Sequence, residues 1–575
     1  MIAKMTQYSF ILLHGDKEQF LSELQGLGVM DITRASKPVD SRSQSLLDNI
    51  RTLREDIACT EKGLDDTLAG LLATRDALER ELADAEPWGD YDRERLAVFG
   101  LHFYRVATRK YDPAWEEQYA IQVVDQDGKE DTRFVVVGDN AGFPLKELPA
   151  PKRTVGELKA LLQEQEEKVE AHRRILEARK ADIPQMQREI RVLEGELDRY
   201  LAATAAVPAA EDTVDTLVGF APTESDAAVS EYLDRTAVYY IKSEATLEDN
   251  PPIKLKNNKF VKMFEVLTDM YGRPAYDEFD PTPILGPFFL LFFAMCMGDA
   301  GYGILLLIIG WLLKKKVPSM ADMGPLVMTL GVGTFVVGII LHTFFGINLY
   351  TAPWVPEWLK GCMVSGNIAG YDAQMVLAIG IGVFHICLAT IVKAICYTSR
   401  FGFAKCISTW GWTLLIVGTV VTGGLALLGV IGAPVVKVVL IALGIVSGLG
   451  IFFLNDLKRN PLLNIGSGLW DTYNTVTGLM GDVLSYLRLY ALGLAGGMLG
   501  STFNTLADMV LGLQVPGLNY LLFAALLLIG HALNLALSCL GAFVHPLRLT
   551  FVEYFKNSGY EGTGRTYHPL KTSNK

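Results

Sequence analysis

Two segments of the chain carry polar groups where an apolar helix does not tolerate them. In Gly481-Asp482-Val483-Leu484-Ser485-Tyr486-Leu487-Arg488-Leu489-Tyr490, Arg488 has a leucine on either side and lies inside a long apolar tract. A guanidinium at the middle of a membrane costs at least about 2.5 kcal/mol even on the permissive insertion scale, so it must face protein or water. It does not shed its proton, so it is a permanent positive charge suited to electrostatic gating and unsuited to proton relay. Gly493, Gly496, Gly497 and Gly500 follow it. Their small size at GxxxG-like spacing predicts close approach by another helix. The residues also allow an arginine neutralised within the chain by Asp482, Asp471 or Asp299. In the second segment His531, Asn534, Ser538, His545 and Arg548 recur at steps of three, four, seven and three. That spacing places them in one stripe, while Leu535, Leu537, Leu540, Phe543 and Val544 fill the other faces. A polar stripe through a membrane helix marks a hydrated path or an interhelical polar seam. Arg548, near the edge of its tract, can also snorkel to the interface.

The elements that must position these groups are long apolar tracts at about 284–313, 325–347, 374–396, 408–431, 435–454, 472–511 and 518–547. About 20 apolar residues span a bilayer core, so the C-terminal half reads as a polytopic membrane domain. Seven single crossings from a cytoplasmic start would put Lys314-Lys315-Lys316 and the C-terminal tail outside, against the positive-inside rule. The first tract is longer than one crossing needs, and Gly298-Asp299-Ala300-Gly301-Tyr302-Gly303 breaks its middle. Splitting it into a hairpin gives about eight helices. Lys314–Lys316, Arg400 with Lys405, Lys458 with Arg459, and Arg548 then face the cytoplasm, and the loop holding Trp354, Glu357 and Trp358 faces outward.

Residues 1–262 have no apolar run of membrane length and read as a soluble α+β half. Leu46, Ile50, Leu53, Ile57, Leu64, Leu71 and Leu78, then Val155, Leu158, Leu162, Val169, Leu176, Ile183, Met186, Ile190, Leu193, Leu197 and Tyr200, follow a heptad rhythm. The spacing predicts two long helices, about 43–86 and 152–202, paired as an antiparallel coiled coil. The second would reach on the order of 70 Å. The helices join two small α/β lobes, one at 95–148 and one combining 1–38 with 214–246. Leu96–Ala107, Tyr119–Val124, Arg133–Val137, Thr216–Phe220 and Val238–Ile241 read as strands, with a turn at Gln126-Asp127-Gly128-Lys129. Residues 263–283 read as a linker, 284–557 as the membrane domain and 558–575 as a cytoplasmic tail. A dimerisation coiled coil or a solvated helix pair is the plainer reading of the arm.

The net charge of −12 argues against a nucleic-acid partner. The seven cysteines are scattered without CxxC pairing, which predicts neither a disulfide framework nor a structural zinc site. There is no GxxxxGK[ST] phosphate loop and no HExxH, so the chain is not expected to hydrolyse nucleotide, and no cofactor or metal is expected. The first 25 residues lack a signal-peptide layout, which predicts that the N-terminal half stays in the cytoplasm.

Three ordered blocks resemble subunit a of V-type ATPases, called subunit I in prokaryotic V/A-type enzymes. The first runs from Phe264-Glu265 through Met270-Tyr271-Gly272-Arg273-Pro274 and Asp280-Pro281-Thr282-Pro283 to Gly298–Gly303. The second is Ser485–Leu492, and the third is Phe543-Val544-His545-Pro546-Leu547-Arg548-Leu549 with Val552-Glu553. The resemblance implies a non-catalytic stator subunit, multi-pass in a prokaryotic cell membrane, with both termini cytoplasmic. It implies that Arg488 faces the ion-carrying carboxylate of a rotating ring, assisted by Arg548. Two half-channels carrying H⁺ or Na⁺ would be lined by His531, Asn534, Ser538, His545, Ser485 and Asp482. Implied partners are the proteolipid ring (subunit c/K), the peripheral-stalk subunits (E/G), the central-stalk cap subunit (d/C), the catalytic head through the stalks, and membrane lipid. Eukaryotic members carry a histidine where Gly496 stands and a glutamate where Ser538 stands. Two other classes fit parts of the pattern: a secondary ion transporter, from the intramembrane charges, and a membrane receptor with a coiled-coil relay arm.

Overall fold

The structure is a computed structural model that describes residues 1–575 except 36–39, 91–96, 127–130, 142, 151, 210–212, 237, 318–319, 321–322, 354, 369, 454–460, 513–517 and 572–575. Leu96, the Asp127–Lys129 part of the expected turn, Trp354, Lys458 and Arg459 therefore lie outside the described residues. The chain divides into two compact units, residues 11–217 with 569–575 and residues 1–10 with 218–568.

In the N-terminal part, β1 (Met5–Leu13), α1 (Lys17–Leu27) and β2 (Asp31–Ile32) lead into α2 (Ser41–Lys62) and α3 (Asp66–Ala85). A three-stranded antiparallel sheet follows, β3 (Leu101–Ala107), β4 (Ile121–Gln126) and β5 (Asp131–Val137), with β5 in the centre. Tyr104, Phe134 and Val136 are buried on the side that Trp115 and Phe143 cover. The chain returns through α4 (Val155–Arg179) and α5 (Ile183–Thr204) to β6 (Val207–Ala209), β7 (Val214–Pro222), α6 (Asp226–Leu233) and β8 (Tyr239–Glu244). Strand order in the second sheet is β2-β7-β1-β8, with β6 on β7. Where a strand is expected from Leu96, the described residues Ala97–Phe99 form a 3₁₀ turn and the strand begins at Leu101.

The apolar heptad residues do pair the helices. Leu46 and Ile50 of α2 are buried with Ile190 and Leu197 of α5. Leu68 of α3 packs with Val169 and Leu176 of α4, and Ala85 with Val155 and Leu158. Low numbers of α3 meet high numbers of α4, so this pair is antiparallel. Neither expected long helix is continuous, however. Gly63, at φ +64°, closes α2, and the Asp65 side chain accepts the Leu68 N–H 2.7 Å away to start α3. On the returning side a 3₁₀ turn at Lys180–Asp182 precedes α5, whose second residue is Pro184. An αL glycine ends a helix and a proline suits a first turn, so both breaks have local causes.

The C-terminal part is helical: α7 (Thr282–Met297), α8 (Ala300–Lys316), α9 (Gly324–Ile340), α10 (Ala373–Phe401), α11 (Ile407–Leu427), α12 (Ala433–Phe452), α13 (Pro461–Leu511) and α14 (Leu518–Arg548). Five of these, α10 to α14, are long and apolar enough to cross a membrane. With 16 or 17 residues each, α7, α8 and α9 reach about 24–26 Å, short of a hydrocarbon core of about 30 Å. The first apolar tract breaks at Gly298 (φ +59°) and Asp299, whose carboxylate caps α8. Both neighbours pack on α9: Leu290 lies beside Gly333, Asp299 and Ala300 beside Gly338, and Lys314 beside Gly324. These pairings make α7 parallel and α8 antiparallel to α9, so the chain reverses at Gly298-Asp299 and returns Lys314–Lys316 to the side where α7 began. The expected apolar segment 325–347 is only partly helix. Its end, residues 341–348, forms a turn and a tight two-stranded hairpin, with His342, Phe345 and Gly346 at positive φ.

Arg400 at the end of α10 meets Asp277 at 2.5 Å, the Tyr560 hydroxyl donates to the Gly272 carbonyl at 2.7 Å, and the Glu561 N–H donates to Glu278 at 2.9 Å. The segment before α7 and the segment after α14 thus lie on the same side of the helices. At the core Phe289, Phe292, Tyr302, Tyr486, Leu489 and Tyr554 are buried together.

Candidate functional site

The site is built on α13 and α14, which pack antiparallel: Gly496 lies against Ser538, Phe503 against Gly530 and Leu492 against Gly541. The expected small-residue contact is present. A Cβ on Gly493 would stand 2.6 Å from the Met295 carbonyl oxygen, and one on Gly500 would stand 3.1 Å from the Gly346 Cα. Bare backbone therefore lets the end of α7 and the 341–348 turn touch α13.

Arg488 is half-buried, and its Nη1 is fully buried with no hydrogen-bond partner. None of the three carboxylates that could have neutralised it pairs with it among the described residues. Asp299 accepts N–H groups from Gly301 (2.8 Å), Tyr302 (3.3 Å), Phe345 (2.8 Å) and Gly346 (2.8 Å). Asp482 accepts from Asn557 Nδ2 at 2.7 Å and lies 3.6 Å from Lys556 Nζ. Asp471 is exposed. Leu484, Ala491, Ala495 and Met498, at steps of four and three around Arg488, are all exposed. The arginine therefore lies within a face of α13 that no described residue covers. On α14, Leu533, Leu537, Leu540 and Val544 form a second exposed stripe, and the exposed Arg548 continues it four residues on. Arg548 thus belongs with that stripe more than with His545, which is half-buried.

Three of the sequence-predicted polar residues are brought together. Asn534, 1% exposed, donates through Nδ2 to the Gly496 carbonyl (2.9 Å) and to the Tyr302 hydroxyl (2.8 Å). Ser538 donates to Asn534 Oδ1 at 3.3 Å. His531 Nδ1 lies 2.8 Å from the Tyr302 hydroxyl, and its Nε2 lies 3.0 Å from Asn504 Oδ1. Ser538 and Asn534 also border a cavity of about 140 Å³ with Cys296, Gly496 and Gly541. Ser485 and Asp482 are elsewhere. The Ser485 hydroxyl donates to its own helix at the Gly481 carbonyl, 3.1 Å away. Asp482 borders a separate cavity of about 460 Å³, shared with Lys393, Lys405, Asp471, Lys556 and Asn557, on the side where the chain enters and leaves the helices. Arg488 stands between the two groups along α13.

Sequence reasoning missed Tyr302 and Asn504 as members of the site, and Lys393 as a lysine lining a cavity. Tyr302 was visible within the Gly298–Gly303 block. Asn504 follows Arg488 by sixteen residues, too far to associate with it by helical period. Among the described residues no group of three or more His, Cys, Asp or Glu side chains could hold a metal ion.

Fold and site together define a multi-pass membrane protein with an N-terminal helical arm and an arginine that has no ion-pair partner among the described residues. Residues 151–347 match the family model described as the V-type ATPase 116 kDa subunit family. An A-type ATP synthase subunit I of Methanocaldococcus jannaschii is 32% identical over 57% of this chain and 50% of that one. A V-type ATP synthase subunit I of Treponema pallidum is 28% identical over 85% of this chain and 82% of its own length. One from Borreliella burgdorferi is 24% identical with both chains covered in full. The chain spans about half the length of the archaeal relatives it matches and most or all of the spirochaetal ones. These matches bear out the resemblance to the V-type ATPase 116 kDa subunit family and to prokaryotic proteins named subunit I.

Proposed function

We propose that this chain is the membrane stator subunit of a rotary V/A-type ATPase and carries H⁺ or Na⁺ past a rotating proteolipid ring. The observation that carries the reading is Arg488: a permanent charge with a buried, unpartnered Nη1, set in an uncovered apolar face. A lipid-facing arginine would be costly, and one kept for packing would have a carboxylate partner. A ring carboxylate arriving at that face supplies the missing anion. It must be neutral to turn through lipid, and Arg488 favours its ionised form, so the ion leaves there. Arg488 also blocks a direct leak between two half-channels, with Arg548 in support on the neighbouring stripe. His531, Asn534, Ser538 and His545 line one half-channel. Asp482 and Ser485 belong to the other, which opens on the side of Lys314–Lys316, Arg400, Lys405 and Lys556.

We assign that basic side to the cytoplasm by the positive-inside rule. The return of the chain to one side supports an even number of passes, eight, with the short α7 and α8 as a hairpin. In this account residues 1–262 are the arm, 263–283 the linker, 284–557 the ion-translocating domain and 558–575 the tail. The helices α2–α5 form a coiled-coil arm that holds the peripheral-stalk subunits (E/G) and so resists torque. The central-stalk cap subunit (d/C) meets the ring, and the nucleotide chemistry resides in the catalytic head. Affinity purification of the tagged chain in mild detergent followed by mass spectrometry tests this. Recovery of proteolipid and stalk subunits is expected, and recovery of the chain alone would overturn the assignment.

A further inference from the structure

The hydrogen bonds around His531 close into a ring whose donor and acceptor directions are fixed by chemistry. Asn504 stands between the Phe345 carbonyl, 2.7 Å from Nδ2, and His531. A carbonyl only accepts, so the amide nitrogen must face Phe345 and the amide oxygen must face the histidine. That oxygen in turn only accepts, so His531 Nε2 must bear a proton. The other ring nitrogen of a neutral imidazole is then an acceptor, and the Tyr302 hydroxyl is placed to donate to it at 2.8 Å. The Tyr302 oxygen keeps a lone pair for Asn534 Nδ2, whose orientation is fixed in the same way by the Gly496 carbonyl. Asn534 Oδ1 is left to accept from Ser538, so the hydroxyl proton of Ser538 is committed to Asn534 at the border of the 140 Å³ cavity.

Asp299 closes the ring on its other side. Its carboxylate accepts the N–H groups of Phe345 and Gly346, each at 2.8 Å, and also caps the first turn of α8, which carries Tyr302. One buried side chain therefore sets both the carbonyl that orients Asn504 and the helix end that presents Tyr302. Phe345 adopts φ +47°, a conformation uncommon for a bulky residue, and its N–H is one of those that Asp299 holds. Gly346 lets the turn press onto Gly500 and Ser501 of α13, where a Cβ would stand 2.4 Å from backbone atoms.

We infer that Asp299, Tyr302 and Asn504 are positioning residues that hold His531 as the neutral ring protonated on Nε2, joined through Asn534 to Ser538 at the adjoining cavity. The assignment rests on the reading of the α14 stripe as an ion path only for its functional consequence; the tautomer follows from the contacts alone. Within this arrangement Asn534 links the His531 ring to Ser538, and both border the cavity.

Full-length protein in lipid bilayers, with histidine ring nitrogens labelled with ¹⁵N, reads the tautomer directly by solid-state NMR. The His531 signals are identified by their loss in His531→Gln. The wild type is expected to show Nε2 protonated and Nδ1 bare. Asn504→Leu removes the acceptor at Nε2 while Tyr302 still donates to Nδ1, so the ring should keep its Nε2 proton but its Nε2 signal should shift to that of an N–H with no hydrogen bond. Tyr302→Phe leaves Asn504 in place and should keep the Nε2–H form. A wild-type ring protonated on Nδ1, or an unchanged Nε2 signal in Asn504→Leu, overturns the inference. In assembled complexes both variants should lower ATP-driven ion uptake roughly severalfold, the size expected for one lost hydrogen bond. A shifted Nε2 signal in Asn504→Leu with normal uptake would uphold the positioning role and instead refute the stripe as an ion path.

Discussion

Gly493→Ala is the sharpest test of the packing that sets Arg488 in place. The new Cβ would stand 2.6 Å from the Met295 carbonyl oxygen, whereas at Gly497 the nearest atom is the Thr343 Cγ2 at 3.6 Å. The first distance requires backbone to move; the second is ordinary contact. Both glycines lie in the interior of α13, so both alanines gain about the same helix propensity, close to 1 kcal/mol, and that gain cancels in the comparison. What remains is overpacking, about 1–3 kcal/mol. Gly493→Ala should therefore be destabilised by about 0–2 kcal/mol, and Gly497→Ala should be stabilised by about 1 kcal/mol. Thermal unfolding of the purified chain in detergent gives the order. Reactivity of the buried Cys296, one residue beyond Met295, reports whether α7 has parted from α13. If Gly493→Ala melts at or above Gly497→Ala with Cys296 still protected, the close approach of α7 to α13 is wrong.

Three further outcomes bear on the arm and the topology. The Ser43 N–H, then the hydroxyls of Tyr200 and Ser43, hold the Asp40 carboxyl below the usual carboxylate range. A depressed carboxyl contributes stability above the unfolded value of about 3.9 and loses it as pH falls through the lower folded value, so Asp40→Asn should flatten the acid side of the melting profile; an unchanged profile would contradict this. Asp65→Ala removes both the cap on Leu68 and the 2.9 Å contact with His172, and should cost about 1 kcal/mol by thermal melt. His172→Gln, which leaves the cap, should cost less, and the reverse order would refute the cap as the main term. Cysteines placed at Lys315 and at Lys556 should react with impermeant reagents from the same side, and labelling from opposite sides would mean that α7 and α8 do not return.

Much of this was legible because charge is costly in an apolar helix. Arg488, His531, Asn534 and Ser538 stand out from their tracts, and Gly298-Asp299 marks a reversal in an overlong one. The breaks in the arm were legible too, at Gly63 and Pro184, but a heptad rhythm passes smoothly over a one-turn interruption and masked them. The segment 341–348 misled because its residues are apolar. Its turn is made by Asp299, more than forty residues earlier, drawing backbone N–H groups out of any helix. Periodicity within α14 could place its polar residues on one face, but could not supply Tyr302 and Asn504, which come from other helices. Nor could it show that Arg548 sits on the uncovered side, because a step of three and a step of four both look like one face in sequence.

The central claim is that Arg488 serves as a fixed charge for a carboxylate outside the chain. ATP-driven ion uptake by vesicles reconstituted with complexes carrying Arg488→Gln measures it most directly, with subunit composition checked on the same preparation. The account predicts fully assembled complexes with uptake abolished, and little recovery in Arg488→Lys, whose ammonium can lose its proton and has a different shape. Normal uptake by Arg488→Gln would contradict it.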